Sequence, residues 1–487
     1  MKKIAMAVLF FAAFFSFSIT TEAASGQAYC YDRDGFPQIS PSPYVLDEII
    51  SLKNQNKTNI SPSDMYISSD GLIYILDSEN GEVAIYNQNF ELKNRITSFN
   101  GSEVYKLAKP QGIFVSENKC MYIADTENHR ILKSDISGNN AEIFGMPEGI
   151  NELKKDSDYL PEKIVVDNDG RIFVAARSVV NGLIALSKDG KFITYIGAPK
   201  VKLDAFTAFW RKFSTQEQRN RMENYIPTEY SNIALDNEGF IYGCISAISE
   251  SDFNEAILSG DISGNTTSVR RINSVGQDIL RRKGTLPILG DLVKGAQSYV
   301  VDVGIGDFGT YSLLDSNFGH IFTYDQNGNL LFVFGNVGTG RGEFSRPVAI
   351  GYHESKLFIL DSILSQITVF RMTDYGKSLY EALEDAYNGD FDEAHQAWGV
   401  VQELNPGLDV AYSGIGTAFL NSGEYKMSME FYKLAGNMQG YSEAYEMYRK
   451  DTIKKFTPLI VVIIIVLLVI LIIVPMIKRF MNYYKSR

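Results

Sequence analysis

Apolar and polar residues alternate along much of this chain, and they do so in a recurring block. From Leu107 to Gly145 the runs GIFVS, MYIAD, ILKSD and AEIFG follow one another, separated by three polar turns. A period of two puts successive side chains on opposite sides of a strand, so each run predicts a strand with one inward face. Between the first two runs of other copies stand SSDGLIY, DNDGRIF and DNEGFIY, whose Asp-Gly or Glu-Gly supplies the positive φ of a tight hairpin. Copies begin near Pro62, Pro110, Pro161, Pro227, Gly295 and Pro347. A unit that cannot bury its own face must stack on its neighbours, and radial stacking leaves no long free edge. The pattern therefore predicts a mainly β chain folded as a six-bladed β-propeller over residues 44–372. The sixth copy has strands at Val348–Tyr352, Leu357–Leu360 and Gln366–Arg371 and then turns helical, while an unassigned run, Tyr44–Ile50, precedes the first copy. That run is expected to complete blade six and seal the ring.

Beyond Arg371 the alternation gives way to helical spacing. Gly389-Asp390-Phe391 and Gly423-Glu424-Tyr425 lie 34 residues apart, as do Ala394 with Ser428 and Trp398 with Tyr432. This is the tetratricopeptide period, so residues 374–456 are expected to form a helical hairpin module with Tyr441–Phe456 as its last helix. From Leu459 to Val474 every residue is Leu, Ile or Val, and residues 457–477 reach the length of a membrane span. At the start, Lys2 and Lys3 precede the apolar run Ile4–Ile19 and the small residues Ala23-Ala24-Ser25, the order of a cleaved signal peptide over residues 1–24. Together these predict a single-pass protein of a bacterial cell membrane, with propeller and helices outside and residues 478–487 in the cytoplasm.

Two segments extend the reading. GIFVSENKCMYIADTENHRI and FGNVGTGRGEFSRPVAI resemble the NHL repeat, the second including its Gly-rich link between blades, and the likeness covers roughly residues 44 to 372. Tyr375–Asn437 likewise resembles two tetratricopeptide repeats. The NHL resemblance implies the six-bladed fold but leaves function open, since such propellers serve as binding platforms and, in a few families, as enzymes.

Charge then narrows the partners. A formal net charge of -12 and a pI near 5.0 argue against nucleic acid, whose binders carry basic patches. Three cysteines, Cys30, Cys120 and Cys244, cannot all pair, and no Cys/His spacing suggests zinc. Two insertions break the repeat. Val201–Tyr225 spaces Leu203, Phe206, Trp210 and Phe213 as one face of an amphipathic helix, and Asn273–Ala296 carries Arg281-Arg282-Lys283. Links between blades lie on one face of a propeller disc, so both insertions are expected there, beside the long loop Ser246–Asn254 of blade four. The candidate contact residues on this decorated face are Trp210, Arg177, Phe206, Arg211, Glu250, Asp252, Arg281 and Arg282. On the same face Asp77, Asp125, Asp315 and Asp361 recur; they cap their own turns or ring a cation.

No catalytic set, cofactor motif or metal set stands out. The leading expectation is a membrane-anchored binding or scaffold protein that recognises other proteins, components of a membrane complex, and touches the bilayer through residues 457–477. The alternatives are a metal-dependent hydrolase or lyase drawing on Asp302, Asp307, Asp315, His320 and His353, and a sensor of a sugar or other small ligand.

Overall fold

The computed structural model describes residues 27–485 except 33–34, 54–58, 151–154, 156–157, 178, 180, 198–229, 247, 249–266, 283–287, 289 and 294–295. The inserted segment 201–225 lies outside the described residues. The chain divides into two compact units, 1–377 and 378–487.

The first unit is a six-bladed propeller. Blade one comprises Pro62–Ile67, Ile73–Asp77, Glu82–Tyr86 and Leu92–Ile96, paired antiparallel in sequence order. Blade two (Gly112–Val115, Cys120–Asp125, Arg130–Asp135, Asn139–Phe144) and blade three (Leu160–Val166, Ile172–Arg177, Leu183–Leu186, Phe192–Ile196) repeat the order. Blade four has Asn232–Leu235, Ile241–Cys244 and Val269–Ile272 among the described residues. Blade five has Val300–Ile305, Tyr311–Asp315, Ile321–Tyr324 and Leu330–Phe334. In blade six, Pro347–His353, Lys356–Asp361 and Gln366–Met372 are joined by Tyr44–Ser51. The first strands neighbour one another around the whole ring. The hairpin between first and second strands uses Gly71, Gly170 and Gly239 at positive φ, while blade two puts Lys119 there at φ 60.

Closure occurs as the N-terminal pattern predicts. Tyr44–Ser51 runs antiparallel to Gln366–Met372, with Tyr44 opposite Met372 and Ser51 opposite Gln366. An aromatic seam fills the adjoining boundary between blades five and six. Tyr44 stacks on Phe334 at 5.7 Å, Phe334 meets Phe370 edge-on at 5.4 Å, and Phe370 meets Phe344 at 6.1 Å, all four side chains buried. A second tie is not evident from the alternation pattern. The short strand Tyr29–Tyr31 adds to the outer strand of blade five, Tyr29 opposite Val333, and pairs with Pro37–Ile39.

The second unit is helical. Asp374–Asn388 leads into it, followed by Phe391–Leu404, Asp409–Asn421, Tyr425–Leu434 and Met438–Lys485. The two Gly-acid junctions have the same backbone, Gly389 at φ 85 and Gly423 at φ 82, each opening a helix. Trp398 packs so tightly on Gly414 that a Cβ there would meet the indole at 2.6 Å, and Tyr432 sits between Gly416 and Gly440 in the same way. The expected separate helix Tyr441–Phe456 is instead the first part of Met438–Lys485, which continues through Pro458 and Pro475. Its 48 residues span about 72 Å at roughly 1.5 Å each. A proline costs a helix one hydrogen bond, and helices that cross membranes tolerate this where other groups satisfy the freed carbonyl. Just before Pro458, Thr457 Oγ1 donates to the Ile453 carbonyl at 2.7 Å, whereas the carbonyl that Pro458 leaves free is that of Lys454. Among the described residues this is the one helix long and apolar enough to cross a membrane, its most apolar window averaging a hydropathy of 3.8.

Ring closure is testable by removing it. Deleting residues 27–52 should abolish the cooperative thermal transition followed by circular dichroism, and a peptide of residues 44–52 added in trans should restore part of it. Replacing Tyr44 by Ala should cost about 3 kcal/mol. An unchanged transition in the deletion would show that blade six closes without this strand.

Candidate functional site

The first strands converge on the propeller axis, and one position in each is decisive. It lies opposite Leu76, Ala124, Ala175, Cys244, Leu314 and Leu360 on the second strands, and is occupied by Asp64, Gly112, Lys163, Asn232, Asp302 and Ala349. In blades one, three, five and six a bulge falls just before it, and bulges re-aim side chains. The result is a polar plate across the axis. Lys163 Nζ reaches Asp64 Oδ1 at 2.9 Å, and the Ile113 backbone N–H donates to Asp64 Oδ2 at 2.9 Å. Asp302 accepts from Asn232 Nδ2 at 2.6 Å, from Val303 N–H at 2.7 Å and from Ile350 N–H at 2.8 Å. Asp64 thus ties blade one to blades two and three, and Asp302 ties blade five to blades four and six. Every blade is held by one of two buried carboxylates.

Burial in this plate raises the Asp302 carboxyl from the ordinary 3.8 to about 7, aided by the nearby Asp64 charge and opposed by Lys163 and the two backbone donors. The Cys244 thiol, fully buried beside it, is likewise pushed up by burial, which makes it an inert core group.

Above the plate a channel of 710 Å³ runs to the turns between first and second strands of all six blades. Ile67, Val115, Val166, Leu235, Ile305 and Tyr352, each three residues beyond the plate position, form its wall. Its mouth is the turn set Ser68–Asp70, Ser116–Lys119, Asp167–Asn168, Asp236–Asn237, Gly306–Asp307 and His353–Glu354. The lining belongs to the strands and turns of the axis, and its volume is that of a small-molecule pocket.

The recurring aspartates at the ends of the second strands do not ring a cation. Asp77 accepts from the backbone of Ser61, Glu79 and Asn80; Asp315 from Tyr299 and Asn317; Asp361 from Ser345, Arg346, Ile363 and Leu364. Asp125 accepts from Ala108 N–H at 2.7 Å and pairs with Arg130 at 2.7 Å. Each buried carboxylate fastens its own turn to the incoming link between blades, as an Asx-turn does. Blades three and four carry Ala176 and Ile245 at this position and lack the fastening.

Of the contact residues expected from sequence, Trp210, Phe206, Arg211, Glu250 and Asp252 lie outside the described residues. Arg177 ends the second strand of blade three and pairs with Glu162. Arg281 is near Asn327 at 3.4 Å, whereas Arg282 is tied to Asp278 at 2.7 Å and to the Val269 carbonyl at 3.2 Å, so it braces blade four. The residues considered for a metal are dispersed. Asp302 is in the plate, Asp307 and His353 are at the mouth, Asp315 caps a turn, and His320 bonds Asp291 at 2.8 Å beside Tyr29 and Tyr31 on blade five. Among the described residues no three His, Cys, Asp or Glu side chains converge to hold a metal ion.

No family model matches the chain, and no curated protein matches it in sequence. Among solved structures, virginiamycin B lyase from Staphylococcus aureus aligns over 68% of this chain and 100% of its own, at TM-score 0.42 and 10% identity. A streptogramin B lyase aligns over 73% and 96%, at 0.39 and 12%. A protein of unknown function from Bacteroides thetaiotaomicron aligns over 71% and 76%, at 0.42 and 11%.

The plate makes two predictions. Asp64→Ala leaves Lys163 buried without its partner and should cost about 3–5 kcal/mol in denaturant unfolding, while adding Lys163→Met should recover most of that. A single variant within 1 kcal/mol of the parent would show that the pair is dispensable. Because the folded-state pKa of Asp302 is raised, its contribution to stability is present below the unfolded value and is lost as pH rises through about 7. Thermal melts from about pH 4 to about pH 8 should therefore fall more steeply in the parent than in Asp302→Asn. Parallel curves would contradict it.

Proposed function

We propose that this chain is a membrane-anchored extracytoplasmic binding protein, an NHL-like propeller whose axial channel receives a ligand and whose tetratricopeptide-like helices engage a second component of a membrane complex. One observation carries this reading: the channel has a polar plate at its inner end, in which Lys163 pairs with Asp64 and Asn232 bonds Asp302, and reaches the six turns at its other end. A pocket of this volume with a fixed polar end suits a small ligand. The apolar part of Met438–Lys485 supplies the anchor. The repeated helical junctions at Gly389 and Gly423 support a stacked-repeat surface of the kind that binds protein segments.

The reading predicts where a ligand protects the backbone. Amide hydrogen exchange of the full-length chain in membranes, with and without a small-molecule extract of the expressing cells, should show protection in the turns 68–70, 116–119, 306–307 and 353–354. Protection confined to the blade links, near Arg177 or the segment containing Trp210, would move the site to the opposite, decorated face. No protection at either place would remove the ligand-binding half of the proposal.

A further inference from the structure

The channel's chemistry specifies more than an unnamed ligand. Eight carboxylates and two lysines line it. Asp64 is paired with Lys163, Asp70 with Lys119, Asp167 with Arg171 and Asp236 with Arg271. That leaves Glu117, Asp302, Asp307 and Glu354, none of which has a cationic side chain at ion-pair distance among the described residues. They are not clustered. Asp302 lies in the plate at the inner end, while Glu117, Asp307 and Glu354 stand on three different turns at the mouth. Asp307 follows Asp302 by five residues, of which those up to Ile305 are strand, so the two lie at most about 16 Å apart at roughly 3.3 Å per residue. Between the two ends the wall is aliphatic and aromatic: Ile67, Val166, Leu235, Ile305 and Tyr66.

A second, independent feature lies in that wall. Tyr74 lines the channel, is fully buried, and its hydroxyl has no hydrogen-bond partner. An orphan buried polar group costs free energy unless something satisfies it. Burial raises the phenol to about 12, so it is neutral and its oxygen is an acceptor available to an N–H. Asp302 has a comparable opening, since a carboxylate offers about four lone-pair sites and three are taken by Asn232, Val303 and Ile350.

We propose that the channel binds a linear aliphatic polyamine, with one terminal ammonium at Asp302, the other among Glu117, Asp307 and Glu354, and an inner nitrogen donating to the Tyr74 hydroxyl. A metal ion is too small to meet both ends, and a single amine meets only one. A neutral sugar leaves the mouth carboxylates unanswered. Only an extended ligand with cationic ends and an apolar stem matches acid, hydrocarbon and acid in that order. This inference rests on the channel being the ligand-receiving end.

Calorimetric titration of the full-length chain in lipid nanodiscs at about 0.15 M salt tests it, with spermine, butylamine and tetraethylene glycol as probes. Spermine should bind with at least tenfold higher affinity than either control. The double variant Asp307→Asn with Glu354→Gln should weaken spermine about tenfold, and Tyr74→Phe about fivefold, with thermal transitions no lower than the parent's. Spermine binding that is indifferent to these substitutions would place the cation elsewhere on an acidic surface and overturn the proposal. Glycol binding as tight as spermine would overturn the polyamine class while leaving the channel a ligand site. Absence of binding by all three probes, together with extract-dependent protection of the mouth turns, would reject the polyamine alone; absence of both would reject the channel reading as well.

Discussion

A ring of stacked sheets is only as stable as its last joint. Six blades bury their faces against one another only if the sixth is pinned to the first, and here the pin is Tyr44–Ser51, laid antiparallel on Gln366–Met372. Everything on the axis follows from that joint. Closure forces six first strands into one circle, and the circle brings Asp64 against Lys163 and Asp302 against Asn232, residues that sit on four different blades. An open ring would leave these groups in water with no reason to meet. Charges buried this way are costly unless paired and hydrogen-bonded, and the plate satisfies them with one lysine, one amide and backbone N–H groups of Ile113, Val303 and Ile350.

Much of this fold is written locally. Alternation within GIFVS and MYIAD, the Asp-Gly turns, and the all-Leu/Ile/Val stretch from Leu459 are each readable over a few residues, because strand period, turn φ and membrane length are local constraints. The helical repeat is readable for a similar reason, the 34-residue spacing of Gly389 and Gly423. What escapes is short or non-local. Tyr29–Tyr31 has three residues and no room for alternation, yet the edge of blade five captures it. The continuous helix Met438–Lys485 runs through two prolines that by local preference end helices.

The site was less legible than the fold. The plate position carries Asp, Gly, Lys, Asn, Asp and Ala in turn, so no repeated residue type announces it. Asp302 stood out only as one acidic residue among several, and its partners Asn232 and Ile350 come from other repeats. A signal existed nonetheless: Asp64 and Lys163 both fall two residues after a blade-opening proline, at Pro62 and Pro161, where the copies opening at Pro110 and Pro347 have Gly112 and Ala349. Opposite charges at one repeat position, in a strand otherwise buried, have nowhere to go but the axis. The recurring Asp77, Asp125, Asp315 and Asp361 were conspicuous for the opposite reason, and they serve the turns.

The proposed function joins the propeller channel as a ligand site, the apolar helix as a membrane anchor and the helical region as a partner-binding surface. Its most direct test is chemical cross-linking of the full-length protein in its native membrane, with and without residues 375–437, followed by mass-spectrometric identification of what is captured. The account predicts one defined membrane protein that is captured by the intact chain and lost with the deletion. Capture of the same protein by both forms, or of no defined protein by either, would contradict it.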